Sequence, residues 1–159
     1  MKKTLFVLLA GALVLSSCLK NNSTPACTDQ KPEVEEASML TFALTQGMTP
    51  TKDTLGILFQ ILQPGTTPLV SNTLDTVNIK YEGKLMSGSS FDKSDSTAAI
   101  LVGQFVYGFQ ASLAKIGQGG RVKVVIPSYI AYGCQGSGPI PANSPVYFDI
   151  TILKLGKKR

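Results

Sequence analysis

The stretch Asp75-Thr76-Val77-Asn78-Ile79-Lys80-Tyr81-Glu82-Gly83 alternates with a period of two. Val77, Ile79 and Tyr81 fall on one face, and Asn78, Lys80 and Glu82 on the other. That is the pattern of an antiparallel strand buried on one side only. The alternation returns in Arg121-Val122-Lys123-Val124-Val125-Ile126-Pro127. It returns again from Val146 to Ile152, where Val146, Phe148, Ile150 and Ile152 are expected to face inward. Gly56 to Leu62 reads as a buried strand closed by a Pro64-Gly65 turn, and Asn72 to Asp75 as a loop. Between strands, Phe109, Leu113 and Ile116 sit at i, i+4 and i+7, bounded by Gly108 and Gly117, which fits one short helix. Several strands and one helix predict an α+β domain, the helix covering one face of an antiparallel sheet.

Val34 to Met48 reads as a short amphipathic helix. Glu35 and Glu36 open it, Met39, Phe42 and Ala43 form its apolar stripe, Leu40 and Leu44 widen the stripe, and Gly47 stops it. It is expected to lie against the side of the domain, with a dimerisation element as the second reading. Thr49 to Asp53 is a hinge. Leu19 to Glu33 is polar and proline-containing and has little to bury, as in a flexible spacer. The first 17 residues carry Lys2 and Lys3 and then an apolar run from Leu5 to Leu15, the pattern of a secretory signal and too short for a spanning helix. The junction Leu15-Ser16-Ser17-Cys18 resembles the bacterial lipobox, which implies a lipidated Cys18 as mature N-terminus. Two or more acyl chains, each methylene adding about 0.8 kcal/mol, make a stable membrane anchor. The predicted organisation is a signal at 1–17, lipidated cysteine and tether at 18–33, helix and hinge at 34–53, a folded domain at 54–156 and a basic tail at 157–159.

Composition removes much chemistry. The chain of 159 residues has no histidine, so a Ser-His-Asp triad, a Cys-His dyad and an HExxH zinc site are all excluded. With Cys18 lipidated, Cys27 and Cys134 cannot complete a tetrahedral zinc set. No metal or cofactor is expected. Cys27 lies in the spacer and Cys134 in a loop, and this reading disfavours a disulfide between them. The formal charge of +5 is scattered apart from Lys157-Lys158-Arg159, with no basic stripe of the kind a nucleic-acid binder needs. The tail is read as a solvated end.

The residues then match a family. Val77-x-Ile79-x-Tyr81-x-Gly83-x-Leu85-x-x-Gly88-x-x-Phe91-Asp92-x-Ser94 resembles the first signature of the FKBP-type (macrolide-binding) peptidyl-prolyl isomerases. Val102-Gly103-Gln104-Phe105-Val106-Tyr107-Gly108-Phe109, Ile126-Pro127, Ile130-Ala131-Tyr132-Gly133, Gly138-Pro139-Ile140-Pro141-Ala142-Asn143 and Val146 to Ile150 follow in the family's order. The resemblance covers Thr54 to Gly156. It implies a curved antiparallel sheet wrapped around the short helix, with a ligand pocket between them. Phe109 would be the pocket floor, with Tyr81, Phe91, Phe105, Val106, Ile140 and Phe148 as walls. Asp92 and Tyr132 would be polar groups at the rim, and the Val106 N–H would hold a substrate carbonyl. Gly83, Gly88, Gly103, Gly108 and Gly133 read independently as turn glycines.

The resemblance further implies cis–trans isomerisation of X–Pro bonds in exported polypeptides. Such bonds prefer trans by only ~0.5–1 kcal/mol but cross a high barrier. A dry pocket that disfavours the planar amide lowers that barrier without covalent proton transfer. Three departures predict a shallower, wider pocket with reduced activity and weak macrolide binding. Phe109 stands where the family commonly has tryptophan, Ala98 where a wall phenylalanine is common, and Gln110-Ala111 where Glu-Gly is usual. A chaperone or binding module on the same fold is the alternative, and a structural envelope lipoprotein a third. Leu19 lacks the aspartate that retains some lipoproteins in the inner membrane, which favours a bacterial outer-membrane anchor facing the periplasm.

Overall fold

Alternate apolar residues become the buried face of one sheet: Val77, Ile79, Val122, Val124, Ile150 and Ile152 are fully shielded from solvent. The computed structural model describes residues 26–158. The signal and the Cys18 junction lie outside the described residues. The chain forms α1 (Pro32–Thr45), β1 (Thr51–Lys52), β2 (Leu58–Gln63), β3 (Thr66–Leu69), β4 (Thr76–Leu85), β5 (Ser90–Ser94), β6 (Ile100–Leu101), α2 (Tyr107–Leu113), β7 (Gly117–Gln118), β8 (Arg121–Ile126) and β9 (Val146–Gly156). The sheet runs β1-β2-β8-β9-β4-β5, with β6 also on β4 and every pairing antiparallel; β3 and β7 form a separate ribbon. The open, antiparallel sheet around α2 is the α+β architecture expected from the sequence.

The longest ladder joins β4 to β9, from Thr76 opposite Gly156 to Leu85 opposite Val146. Its register shifts between Asn78 and Ile79, which bends the pair and helps to wrap the sheet around α2. Phe109 and Leu113 of α2 and the following Ile116 enter the main core. Gly108 lies inside α2 instead of bounding it, and Ile116 lies beyond the helix end. The reason is close approach: a Cβ on Gly108 would meet an Ile126 methyl at 2.2 Å. Glycine there lets the helix sit on β8.

α1 covers the other face. Met39, Phe42, Ala43 and Met48 join Leu58, Val125 and Tyr147 in a second cluster, and Phe42 meets Tyr147 edge-on at 5.7 Å. Pro32 opens the helix, where its missing N–H removes no bond. The apolar stripe is narrower than expected, because Leu40 and Leu44 are 43% and 59% exposed. β2 also departs from the buried strand expected: only its start is covered, and Ile61 and Leu62 are exposed. Thr51 and Lys52, within the expected hinge, pair with β2.

Two expectations about the termini are corrected. Cys27 and Cys134 form a disulfide with Cα atoms 5.4 Å apart, within normal bridging range. The segment before α1 is fixed on the domain by polar contacts that bring the two cysteines together. Asp29 accepts the Cys134 N–H at 2.8 Å, and Asn143 binds the Gln30 N–H at 3.2 Å and the Thr28 carbonyl at 3.3 Å. The tail is also tied down. Lys157 Nζ donates to Asp75 Oδ2 at 2.7 Å and to Ser71 Oγ at 2.8 Å, and the Lys158 N–H reaches Asp75 Oδ1 at 3.2 Å.

Asp75 is fully buried. Desolvation opposes its ionisation, but the Lys157 ammonium and the N–H groups of Ser71, Lys158 and Asn72 outweigh it and hold the carboxyl below the usual carboxylate range. A depressed folded pKa gives stability that is complete above the unfolded value of about 4 and is lost as pH falls through the folded value. Asp75→Asn is therefore expected to lose about 1–3 kcal/mol at pH 7, with a flatter decline in stability below pH 4 than the parent. Urea unfolding across pH checks both.

Candidate active site

The concave side of the sheet meets α2 at an aromatic cluster. Phe109 enters from α2, Phe148 from β9, Tyr81 from β4 and Phe91 from β5. Phe148 stands edge-on to Phe109 at 4.9 Å and to Phe91 at 5.5 Å. Tyr81 is edge-on to Phe109 at 6.3 Å. Phe105 lies nearly parallel on Phe109, with centroids 4.6 Å apart. Edge-to-face and stacked pairs of this kind add about 0.5–1.5 kcal/mol each beyond area burial, so the walls brace one another.

These rings surround an open cavity of about 210 Å³ lined by Tyr81, Asp92, Gln104, Phe105, Val106, Phe109, Tyr132 and Phe148. Seven of the nine residues expected from the sequence therefore meet at one hollow. Phe91 stands behind it, against Phe148 and Tyr132. Ile140 is 5% exposed and belongs to the main core without lining the cavity. Ala98 is exposed and contributes no wall. Phe109 and Phe148 are each 3% exposed, so the floor is dry.

The polar groups sit at the rim. The Tyr81 hydroxyl donates to Asp92 Oδ2 at 2.6 Å. Burial, and then the Asp92 carboxylate, keep this hydroxyl protonated well above the usual tyrosine range. The same two influences raise Tyr132. Both phenols are therefore neutral hydrogen-bond donors at physiological pH. The Tyr132 hydroxyl and the Val106 N–H, at the start of α2, have no hydrogen-bond partner among the described residues. No His, Cys, Asp or Glu cluster able to hold a metal occurs among the described residues. The arrangement offers an apolar floor for a ring and donors for a carbonyl.

Three supports are hard to see in the sequence. Gln104 lines the cavity within a segment noted only for its order. The Gln110 amide donates to the Phe105 carbonyl at 2.7 Å, so this departure from the family pattern fastens the loop that carries Phe105 and Val106. Gly83, like Gly103 and Gly108, lacks the positive φ expected of a turn glycine, whereas Gly88 and Gly133 have it. Gly83 is instead a gap. It faces Phe148 across the ladder, and a Cβ there would lie 2.7 Å from both Phe148 and Phe91. A second, wider depression of about 720 Å³ lies on the polar face around Lys80, Lys93, Arg121 and Asp149. Its Lys80–Asp95 and Arg121–Asp149 pairs at 2.8 Å neutralise much of its charge, and it lacks the aromatic floor.

Because Gly83 is the gap into which two rings fit, Gly83→Ala is expected to overpack the wall and destabilise by about 1–3 kcal/mol. Chemical denaturation gives the magnitude. A proton NMR spectrum should show the Phe91 and Phe148 ring resonances moving most.

The family model described as FKBP-type peptidyl-prolyl cis-trans isomerase matches residues 69–153. The chain is 30% identical to FK506-binding protein 4 of Emericella nidulans, over 86% of this chain and 34% of that one. It is 34% identical to the FKBP-type peptidyl-prolyl cis-trans isomerase FkpA of Escherichia coli K12, over 62% of this chain and 37% of that one. It thus spans little more than a third of these curated relatives. The crystal structure of FkpA from Escherichia coli superposes with a TM-score of 0.67 at 26% identity, covering 78% of this chain and 60% of that one. The peptidyl-prolyl cis-trans isomerase of Pseudomonas syringae pv. tomato gives a TM-score of 0.65 at 28% identity, covering 82% and 99%. The matched segment holds every cavity-lining residue, and by it this chain belongs to the FKBP-type peptidyl-prolyl cis-trans isomerase family.

Proposed function

We propose that the protein accelerates cis–trans rotation of X–Pro bonds in unfolded or exported polypeptides. The observation that supports this best is the pairing of a dry Phe109 floor with a Val106 N–H and a Tyr132 hydroxyl that lack partners among the described residues. The proline ring lies on Phe109 between Tyr81 and Phe148, and a substrate carbonyl outside the rotating amide takes the Val106 N–H. Twisting the amide removes its resonance and charge separation, so an apolar enclosure favours the twisted form over the planar one. No proton needs to change hands, consistent with a chain that lacks histidine. The smaller floor and the missing wall at Ala98 make the activity modest and macrolide binding weak.

The lipobox at Leu15–Cys18 adds the location. Lipidated Cys18 anchors the protein in the bacterial envelope, at the outer membrane facing the periplasm, where newly exported chains fold. No helix among the described residues is long and apolar enough to cross a membrane. Cys18→Ser is expected to move the protein from the membrane fraction to the soluble fraction; membrane retention would contradict the anchor.

The activity is tested by a protease-free isomerisation assay on a panel of X–Pro peptides, whose uncatalysed exchange takes tens of seconds. The protein is expected to shorten this. Asp92→Ala and Tyr132→Phe should each lower kcat/KM about 3- to 10-fold, since 1.36 kcal/mol is tenfold in rate. A folded protein with no effect on any peptide would transfer the cavity to a binding or chaperone role.

A further inference from the structure

Tyr132 stands in the connection from β8 to β9, residues 127–145, which contains only two short 3-10 turns and a single Ser137–Ile140 bridge. A connection of that length without regular structure depends on outside contacts for its shape. Ile130 and Ile140 give it two buried anchors, and the Tyr129 hydroxyl reaches the Leu55 carbonyl at 3.0 Å. Tyr132 also meets the Phe91 ring edge-on at 6.4 Å, and the other polar fastenings come from residues 27–35. At one end, the Glu35 carboxylate accepts the Ser128 N–H at 2.8 Å and the Ser128 hydroxyl. Glu35 is 5% exposed and Ser128 fully buried. At the other end, Asp29 takes the Cys134 N–H and Cys27 is bonded to Cys134. Asn143 ties the far side of the connection to Thr28 and Gln30. Tyr132 lies between the two fastenings, four residues after Ser128 and two before Cys134.

All of these fasteners precede residue 69, where the family match begins. None of them lines the cavity. The sequence gives Glu35 the ordinary role of an acid near a helix start, and a carboxylate doing only that has no reason to be buried. Its burial against a backbone N–H and a hydroxyl of another element marks it as a fastener.

We propose that Glu35, Asp29 and the Cys27–Cys134 disulfide position the Tyr132 wall of the cavity and thereby set its affinity for proline-containing substrate. The proposal rests on the reading of the cavity as the proline site. A wall that is in place only a fraction of the time weakens apparent binding by the inverse of that fraction. It leaves the barrier within the bound complex nearly unchanged.

The test uses the full chain. Asp29→Ala combined with Cys27→Ser and Cys134→Ser removes one fastening, and Glu35→Ala the other. Wild type reduced with dithiothreitol opens the bridge without mutation. Isomerisation of an acetylated Ala-Phe-Pro-Phe peptide amide is followed by NMR exchange, and backbone hydrogen exchange by mass spectrometry. Each perturbation is expected to raise KM roughly 3- to 10-fold, with kcat held within about twofold. Exchange should speed up in 127–145 and not in β4 or β9. Glu35→Gln, which retains an acceptor for Ser128, should recover part of the KM. An unchanged KM overturns the proposal, as does faster exchange spread evenly over the sheet with kcat and KM both impaired, which marks a merely structural role. Should wild type not catalyse at all, the isomerase reading fails by itself. The fastening is then judged from the peptide's Kd and the exchange of 127–145, and no change in either overturns it.

Discussion

The ladder between β4 and β9 is the constraint on which the rest of the molecule depends. It runs the length of both strands and sets which residues face each other: Tyr81 with Ile150, and Gly83 with Phe148. A slip of one residue would turn Val77, Ile79 and Tyr81 out of the core, because side chains alternate along a strand. The same register places the empty side of Gly83 where two phenylalanine rings need room. On the opposite face it presents Tyr147 to Phe42 of α1. One pairing therefore sets the cavity, the main core and the seat of the N-terminal helix.

The cavity is built with hardly any charge. Its rings hold each other by edge contacts, and its phenols are kept neutral by burial and by Asp92. Among the described residues, the Val106 N–H and the Tyr132 hydroxyl have no hydrogen-bond partner. Such a site suits a reaction whose barrier is the loss of amide resonance and not the transfer of a proton. The wall that carries Tyr132 lacks regular structure of its own, so its precision comes from contacts made elsewhere in the chain.

The strands and the aromatic cavity were legible because period-two alternation reports burial directly, and because Tyr81, Phe105, Phe109 and Phe148 keep the family's order. What the sequence concealed were relations between distant segments. Cys27 stands among polar residues that read as spacer, and nothing local announces that Asp29 and Asn143 bind that segment to the domain. Lys157 looks like a solvated end until Asp75, 82 residues earlier, is found beneath it. Leu40 and Leu44 fit an apolar stripe by spacing, yet the sheet face beneath α1 is wide enough only for Met39, Phe42 and Ala43. Gly83 and Gly108 read as turns because a glycine needed for close approach looks the same in sequence as one needed for a positive φ.

A proline ring in the hollow over Phe109, with a substrate carbonyl on the Val106 N–H, is the proposed binding mode. It is tested most directly by titrating the ¹⁵N-labelled protein with an X–Pro peptide and following each amide by NMR. The Val106 amide is expected to move downfield and shift most, with its neighbours in Phe105–Phe109 next, while the peptide's cis and trans signals exchange faster. Shifts centred on the polar depression around Lys80 and Arg121, with Val106 unmoved, would contradict it.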